Sequence, residues 1–481
     1  MTVAALVHGG SAGSAADAGK SSRGSRKRRM ILLRSVALLP AFVCLGTLSG
    51  PDLVAALDAP PPAVYPEYQP TSSCRICHEK QYDQHQESLH ARSFSDPAFQ
   101  AQYFKELLPL VEGNPELGAE ADRCIACHSP ISFQKKKGRA GPEKKFDESL
   151  SGVVCDFCHR VGAYKGAQPG GGNFMSSPGD MKFGPFKITK SEWHHIYHEL
   201  QTKSEFCAIC HSDANHFGLA IKSTFAEWQA SSYAKRGIQC QDCHMNTQGF
   251  LTDGRPVYES GKATVMTVGS SVDRALLYSH RFPGTRAKTQ MESALTLDMT
   301  IDQAAAAPGE EVTVRIAVTN KSVGHSIPTG STDLRLLWLE LSYEMPGGSR
   351  PVPAVSVAAA TPFDVAGKGA FDAHILGGDI PAGSRIYRSI FADATGAQTL
   401  ASYQATQIVF DNRLKAEEVR TEKYTFRLPG DARGPLAFTA RIRYLPYPGS
   451  FARTLAIPPA VPLLLSETGK FLVVSPPPRS E

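Results

Sequence analysis

The C-terminal third of the chain alternates between apolar and polar positions. Val312, Val314, Ile316 and Val318 are interleaved with Thr313, Arg315, Ala317 and Thr319. Leu436, Phe438, Ala440, Ile442 and Tyr444 are interleaved with Ala437, Thr439, Arg441 and Arg443. Successive side chains of a strand point to opposite faces, so a period of two marks a strand with one buried face. Further strands are expected at 294–301, 334–343, 407–410 and 424–428. Several short strands joined by Pro/Gly turns predict a β-sandwich, immunoglobulin-like in arrangement.

Before residue 290 the pattern is different. Helical periodicity is confined to 80–91, 98–110 and 224–234, and Gly/Pro-rich connections such as 168–173 separate these stretches. The fold class expected is α+β multidomain. A mostly α and irregular domain at 71–288 precedes the β-sandwich at 289–475, with a Pro-rich linker at 57–70 and a short tail at 476–481.

The first domain lacks the apolar material for an ordinary core of its size, and its cysteines say what replaces it. Cys-x-x-Cys-His occurs five times: Cys74-Cys77-His78, Cys124-Cys127-His128, Cys155-Cys158-His159, Cys207-Cys210-His211 and Cys240-Cys243-His244. Chance would supply about 0.01 such matches. Each reads as a covalent haem c attachment, with two thiols bonding the porphyrin edge and the histidine ligating iron from one side. On one helical turn all three side chains can face one porphyrin. Zinc ribbons need two pairs per metal and no histidine after each, and a redox disulfide motif would occur once. Five covalently bound haem c groups are therefore the expected cofactors, and they form the buried apolar mass. The first cysteines are 50, 31, 52 and 33 residues apart, an alternation that suggests a paired-haem unit used more than once.

Composition then places the chain. Residues 1–56 combine a basic run (Arg23, Arg26, Lys27, Arg28, Arg29), a short apolar stretch at 35–46 and small residues at Val54-Ala55-Ala56. This reads as a removable secretory signal and a periplasmic or extracytoplasmic location, with a permanent N-terminal anchor as the alternative. The whole chain carries +5, and residues 1–56 hold seven Lys/Arg against two Asp, so the remainder is near neutral. Haem propionates would make the holoprotein acidic, which argues against nucleic-acid binding. The basic run Lys135 to Lys145 is either a docking patch for an acidic redox partner or a solvated loop.

The sixth iron position decides function, because a second strong ligand makes an electron carrier and an open position can bind substrate. Nine histidines lie outside the motifs and the signal: His85, His90, His194, His195, His198, His216, His280, His325 and His374. Ser88-Leu89-His90-Ala91 resembles the segment giving a distal histidine in bis-histidine multihaem cytochromes c, a group including the tetrahaem cytochrome of the hydroxylamine-oxidation pathway. Phe225–Ser231 leading to Cys240-Gln241-Asp242-Cys243-His244-Met245 is similar too, as is His280-Arg281-Phe282-Pro283-Gly284. The C-terminal module resembles one often joined to such domains, through Gly324-His325-Ser326-Ile327-Pro328-Thr329-Gly330 and Asp411-Asn412-Arg413-Leu414. His85, where tryptophan is expected, and the Lys-rich insertion depart from that pattern.

The expected distal ligands are His90, His194, His216, His280 and His325. His194 is chosen because Ser-x-Trp-His resembles the family segment, with His195 and His198 as alternatives. His216, five residues after His211, would serve a neighbouring haem. His85, His374 and Met245 are expected to be structural. A ligating His325 would bring the β-domain into the electron circuit. The expected function is electron transfer between a donor and an acceptor redox protein or a membrane electron-transfer complex. The alternative is an oxidoreductase acting on a small nitrogen or sulfur compound at one open haem. Pentahaem nitrite reductases carry Lys at the last position of the active haem's motif, and all five motifs here end in His. A third reading is a subunit whose β-domain docks a larger complex.

Overall fold

Strand Glu311–Asn320 buries Val312, Val314, Ile316 and Val318 completely, and strand Leu436–Leu445 does the same with Phe438, Ala440, Ile442 and Tyr444. The computed structural model describes residues 67–136, 148–187, 194–265, 272–284, 287–345, 348–352, 363–367 and 379–476. Within these, Glu311–Asn320 pairs on its two sides with Leu295–Ile301 and Val419–Arg427. A larger sheet runs Ala305–Ala306, Leu463–Val474, Leu436–Leu445, Leu336–Met345, Gly348–Val352, and Arg385–Tyr387 also pairs with Leu336–Met345. One hydrophobic core holds Val314, Ile316 and Tyr424 from the first sheet with Leu339, Phe438, Ile442 and Leu472 from the second. At about 1.5–3 kcal/mol per buried large apolar side chain, this is the main apolar investment of the chain.

The haem-motif region is built of short pieces. Its longest helix, Pro115–His128, starts on the Asn114 side chain with proline in its first turn. The helix expected at 98–110 is three segments: Pro97–Ala101, a π-helical turn Gln102–Leu107 and a 3₁₀ turn Leu108–Leu110. Pro109 supplies no N–H and crowds the carbonyl four residues earlier, so regular α-helix cannot continue there. The helix expected at 224–234 breaks into Thr224–Gln229 and Ser232–Lys235, because the Ser231 hydroxyl accepts from the Tyr233 N–H and starts a new turn. The helix expected at 80–91 is Glu79–Glu87.

The described residues fall in one compact unit, and the β-region closes over the motif region through named contacts. Arg413 donates to Glu227 at 2.7 Å, to Asp411 at 2.8 Å and to the Pro328 carbonyl at 3.1 Å. Glu227 also accepts from Ser326 N–H and the Thr329 hydroxyl, both at 3.2 Å. Removing one partner from such a buried pair costs about 3–5 kcal/mol, since the other charge is left without compensation. Asn215 donates to Ser402 and Ala405 carbonyls, and Lys105 to Leu455. Gly324 lies flat on Tyr233, where a Cβ would meet the ring at 3.0 Å.

Residues 1–56, most of the linker, most of the Lys-rich stretch, His374 and the tail after Pro476 lie outside the described residues. Lys135 pairs with Glu67 at 2.8 Å. Among the described residues no helix is long and apolar enough to cross a membrane.

Gly170-Gly171-Gly172 wedges between the second and fourth motifs. Gly172 N–H bonds Ile209 O at 2.8 Å, Gly171 N–H bonds Ser212 O at 2.8 Å, and a Cβ on Gly172 would lie 2.8 Å from Ala126 Cβ. Gly113 shares the same positive φ (+75° against +74°) with open space around it. Gly113→Ala should cost only the left-handed strain of about 1–2 kcal/mol. Gly172→Ala should cost that plus about 1–3 kcal/mol of overpacking. Paired thermal melts check this; equal melting temperatures for the two variants would exclude the wedge.

Candidate functional site

Each motif sits where a helix or turn ends. Cys124 to His128 closes Pro115–His128, Cys207 to His211 closes Ser204–His211, and Cys240–His244 is a helix by itself. Elsewhere the same closure is local: His78 N–H bonds Cys74 O at 2.9 Å, and His159 N–H bonds Cys155 O at 3.0 Å. This i to i+4 closure brings the two thiols and the imidazole of a motif to one side. The intervening residues hold the turns in place. Asp156 is buried, pairs with Lys182 and accepts from Gln69 N–H, while Asp242 bonds Tyr258 and the Gln239 N–H.

Four motif histidines face a second imidazole from a remote segment. His78 lies 5.9 Å from His194 between ring centroids, His211 lies 6.2 Å from His90, His159 lies 6.2 Å from His280, and His244 lies 6.5 Å from His325. Metal–imidazole bonds of about 2.0 Å on both sides of one ion put two ring centroids about 6.3 Å apart. The four spacings therefore fit an iron held between each pair. In five of the eight rings the other nitrogen is already engaged. His78 Nδ1 bonds Ala263 O at 2.7 Å, His159 Nδ1 bonds Phe183 O at 2.7 Å, and His244 Nδ1 bonds Pro283 O at 2.9 Å. On the distal side, His280 bonds Tyr278 O and His325 bonds Ser326 O. Such bonds fix tautomer and ring orientation and leave Nε2 for the metal.

Burial favours the neutral form that ligation requires in seven of the eight rings. It lowers His90 and His280 to about 3, and His194, His211 and His325 to about 4, with neighbouring histidines adding to the effect. His159 and His244 are also lowered by burial.

The motifs touch one another. Cys74 lies against Cys155, Cys127 against Cys210, and Cys207 against Cys240. Motifs one and three thus adjoin, as do two and four, and four and five. Between three and four stands Phe282, a residue to which the sequence assigned no role. Its ring is edge-on to His90 at 4.6 Å and to His280 at 5.9 Å.

The second motif is different. His128 bonds Ser93 O through Nδ1 at 2.8 Å, and Phe99 stacks on its ring at 3.9 Å. Among the described residues no imidazole stands across from it. His216, expected as a distal ligand, makes no ring contact with a motif histidine among the described residues, although its Nδ1 bond is of the kind that leaves Nε2 for a metal. Its Nδ1 and backbone N–H both bond Glu120, at 3.0 Å and 2.5 Å, and its ring lies against Phe217. Glu120 pairs in turn with Arg123, and Asp213 lies between Arg123 (3.8 Å) and Lys222 (3.2 Å). A buried carboxylate opposite His216 gave no periodic signal, so only the three-dimensional arrangement reveals it. Asp333 is raised by burial to about 6, with the charges of Arg335 and Lys222 opposing the shift.

Neither alternative to His194 makes a ring contact with a motif histidine among the described residues. His195 Nε2 bonds Phe186 O at 2.8 Å, and His198 lies against Phe183. His85 Nε2 bonds Val153 O at 2.8 Å.

Residues 73–160 match the family model of cytochrome c554 and c-prime. A penta-heme cytochrome c552 from Thermochromatium tepidum shares the fold, with a TM-score of 0.57 at 19% identity over 84% of this chain and 99% of that one. The sporulation control protein Spo0M from Bacillus subtilis aligns at a TM-score of 0.15 and 12% identity, over 38% of this chain and 49% of that one, too low to carry an argument. No curated protein matches.

The pairing of His78 with His194 rather than His195 is open to direct test. His194→Ala should convert one low-spin ferric haem to high spin in the resonance spectrum, and His195→Ala should leave the low-spin count unchanged. The reverse pattern would reassign the ligand.

Proposed function

We propose that this multihaem cytochrome c is an extracytoplasmic electron carrier holding five covalent haem c groups. Four are bis-histidine, through His78 and His194, His159 and His280, His211 and His90, and His244 and His325. The observation that carries the reading is the set of four buried imidazole pairs spaced at 5.9 to 6.5 Å. Bound there, haem c supplies a reversible one-electron iron couple. At these four sites two of the chain's own imidazoles would hold the iron, which would deny substrate a place. The backbone bonds to Nδ1 hold ring orientation through oxidation and reduction, and burial excludes water. Motif contacts support a route from motif one through three and four to five, with motif two branching from four. Exchange with a donor and an acceptor redox protein, or with a membrane complex, follows from that role. The β-region, read as an immunoglobulin-like sandwich, serves the route by lending His325.

A second reading has its own observation. His128 faces no imidazole among the described residues, and Lys222, Arg123 and Asp213 gather near that motif. An open haem there would suit reduction or oxidation of a small nitrogen or sulfur compound.

Electron paramagnetic resonance of the oxidised holoprotein tests both. The four pairs predict at least four low-spin ferric haems, and the enzyme reading adds one high-spin haem that binds carbon monoxide when reduced. His128→Met should remove or alter only the high-spin signal. Five low-spin haems would eliminate the enzyme reading, and two or more high-spin haems would refute the four pairs.

A further inference from the structure

The turn His280-Arg281-Phe282-Pro283 serves three neighbouring motif pairs at once. His280 faces His159, the Phe282 ring stands edge-on to His90, and the Pro283 carbonyl accepts from His244 Nδ1 at 2.9 Å. Phe282 holds a positive φ of +44°, a conformation that costs a bulky residue about 1–3 kcal/mol and persists only where its surroundings impose it. Those surroundings are visible. Gln84 accepts from His280 N–H at 2.9 Å, Glu87 pairs with Arg281 at 2.9 Å, and Ser279 N–H bonds Met245 O at 2.7 Å.

The four imidazole pairs differ in twist. His244 and His325 are nearly parallel at 10°, His159 and His280 lie at 25°, and His78 and His194 at 52°. His211 and His90 are crossed at 78°. Among the described residues no hydrogen bond engages the His90 ring nitrogens, whereas His280 and His325 each have an Nδ1 partner. What stands against the His90 ring is Phe282, at 84°.

We infer that Phe282 is a positioning residue that holds His90 crossed against His211 and thereby raises the potential of the haem at motif four. The inference rests on the bis-histidine reading above. Low-spin ferric iron has a single hole in its two π-type d orbitals. Parallel imidazoles split that pair and stabilise the ferric state, whereas crossed imidazoles leave it nearly degenerate. The crossed haem is therefore the easier to reduce. Motif four is also the junction, adjoining motifs two, three and five, so a higher potential there gathers electrons where the routes meet.

The test is resonance-monitored redox titration of the holoprotein. Wild type should show one highly anisotropic low-spin signal with a large maximal g value, and that signal should disappear on reduction before those of the parallel pairs. Phe282→Leu should move the signal toward the rhombic form and lower the midpoint of that haem, leaving the His244 and His325 haem unchanged. Phe282→Tyr, which keeps the ring, should retain both properties. An unchanged signal and midpoint in Phe282→Leu would overturn the inference, as would equal shifts at all haems or the same shift in Phe282→Tyr. His90→Ala judges the underlying reading separately: it should eliminate the anisotropic signal and create a high-spin haem. If His90→Ala leaves every low-spin haem intact, the ligand pairing itself fails.

Discussion

Opposed imidazoles, one from a Cys-x-x-Cys-His turn and one from a distant segment, are the constraint on which the rest of this structure depends. Each pair ties together regions far apart in sequence: 78 with 194, 159 with 280, 211 with 90 and 244 with 325. The segments supplying the second ring are mostly irregular, and an irregular segment has little apolar area with which to hold itself. Coordination would do for them what hydrophobic burial does for the β-region, where Phe438, Ile442 and Val314 fill an ordinary core. The same constraint explains why the helices are short: a turn that presents two thiols and a ring needs only four or five residues.

Burial is what makes the arrangement chemically consistent. A histidine must be neutral to bind iron, and histidines crowded in a low-dielectric interior lose their protons readily. The closing β-region contributes to that interior. Its Glu227–Arg413 seam is next to the loop carrying His325, so the ion pair and the ring are positioned by one piece of backbone. Gly324, pressed against Tyr233, lets that loop come close enough. A bulkier residue there would push the ring away from His244.

The β-region was readable because alternation is a local property, and Val312 to Val318 announces its buried face without help from other segments. The motifs were readable because their spacing is fixed by one helical turn. The distal partners were harder. His90, His194, His280 and His325 were named through their family-like segments, and which motif each one faces came only from the fold. His216 shows why. It had no family-like segment to name it, and its Nδ1 bond to Glu120, ninety-six residues earlier, is a contact that only the fold reveals. Phe282 was legible as part of a segment and silent as to role, since an aromatic residue between two ligands leaves no periodic trace.

The contrast between motif two and the others sharpens the functional question. If a wire were all that selection required, the simplest structure would treat every iron alike. The alternating 50, 31, 52 and 33 spacing does suggest a repeated unit. The likeness of the sites breaks at His128, where Phe99 stacks on the ring and the nearby ion pairs, Arg123–Asp213–Lys222, are polar rather than ligating. Buried charge of this kind is costly unless it is paired, and here it is paired along a line between motifs two and four. A branch with its own electrostatics beside a junction with crossed imidazoles would set the driving force for electrons entering or leaving at that end. The carrier and the enzyme readings are compatible: a wire would supply electrons, and an open haem at His128 would be where they are used.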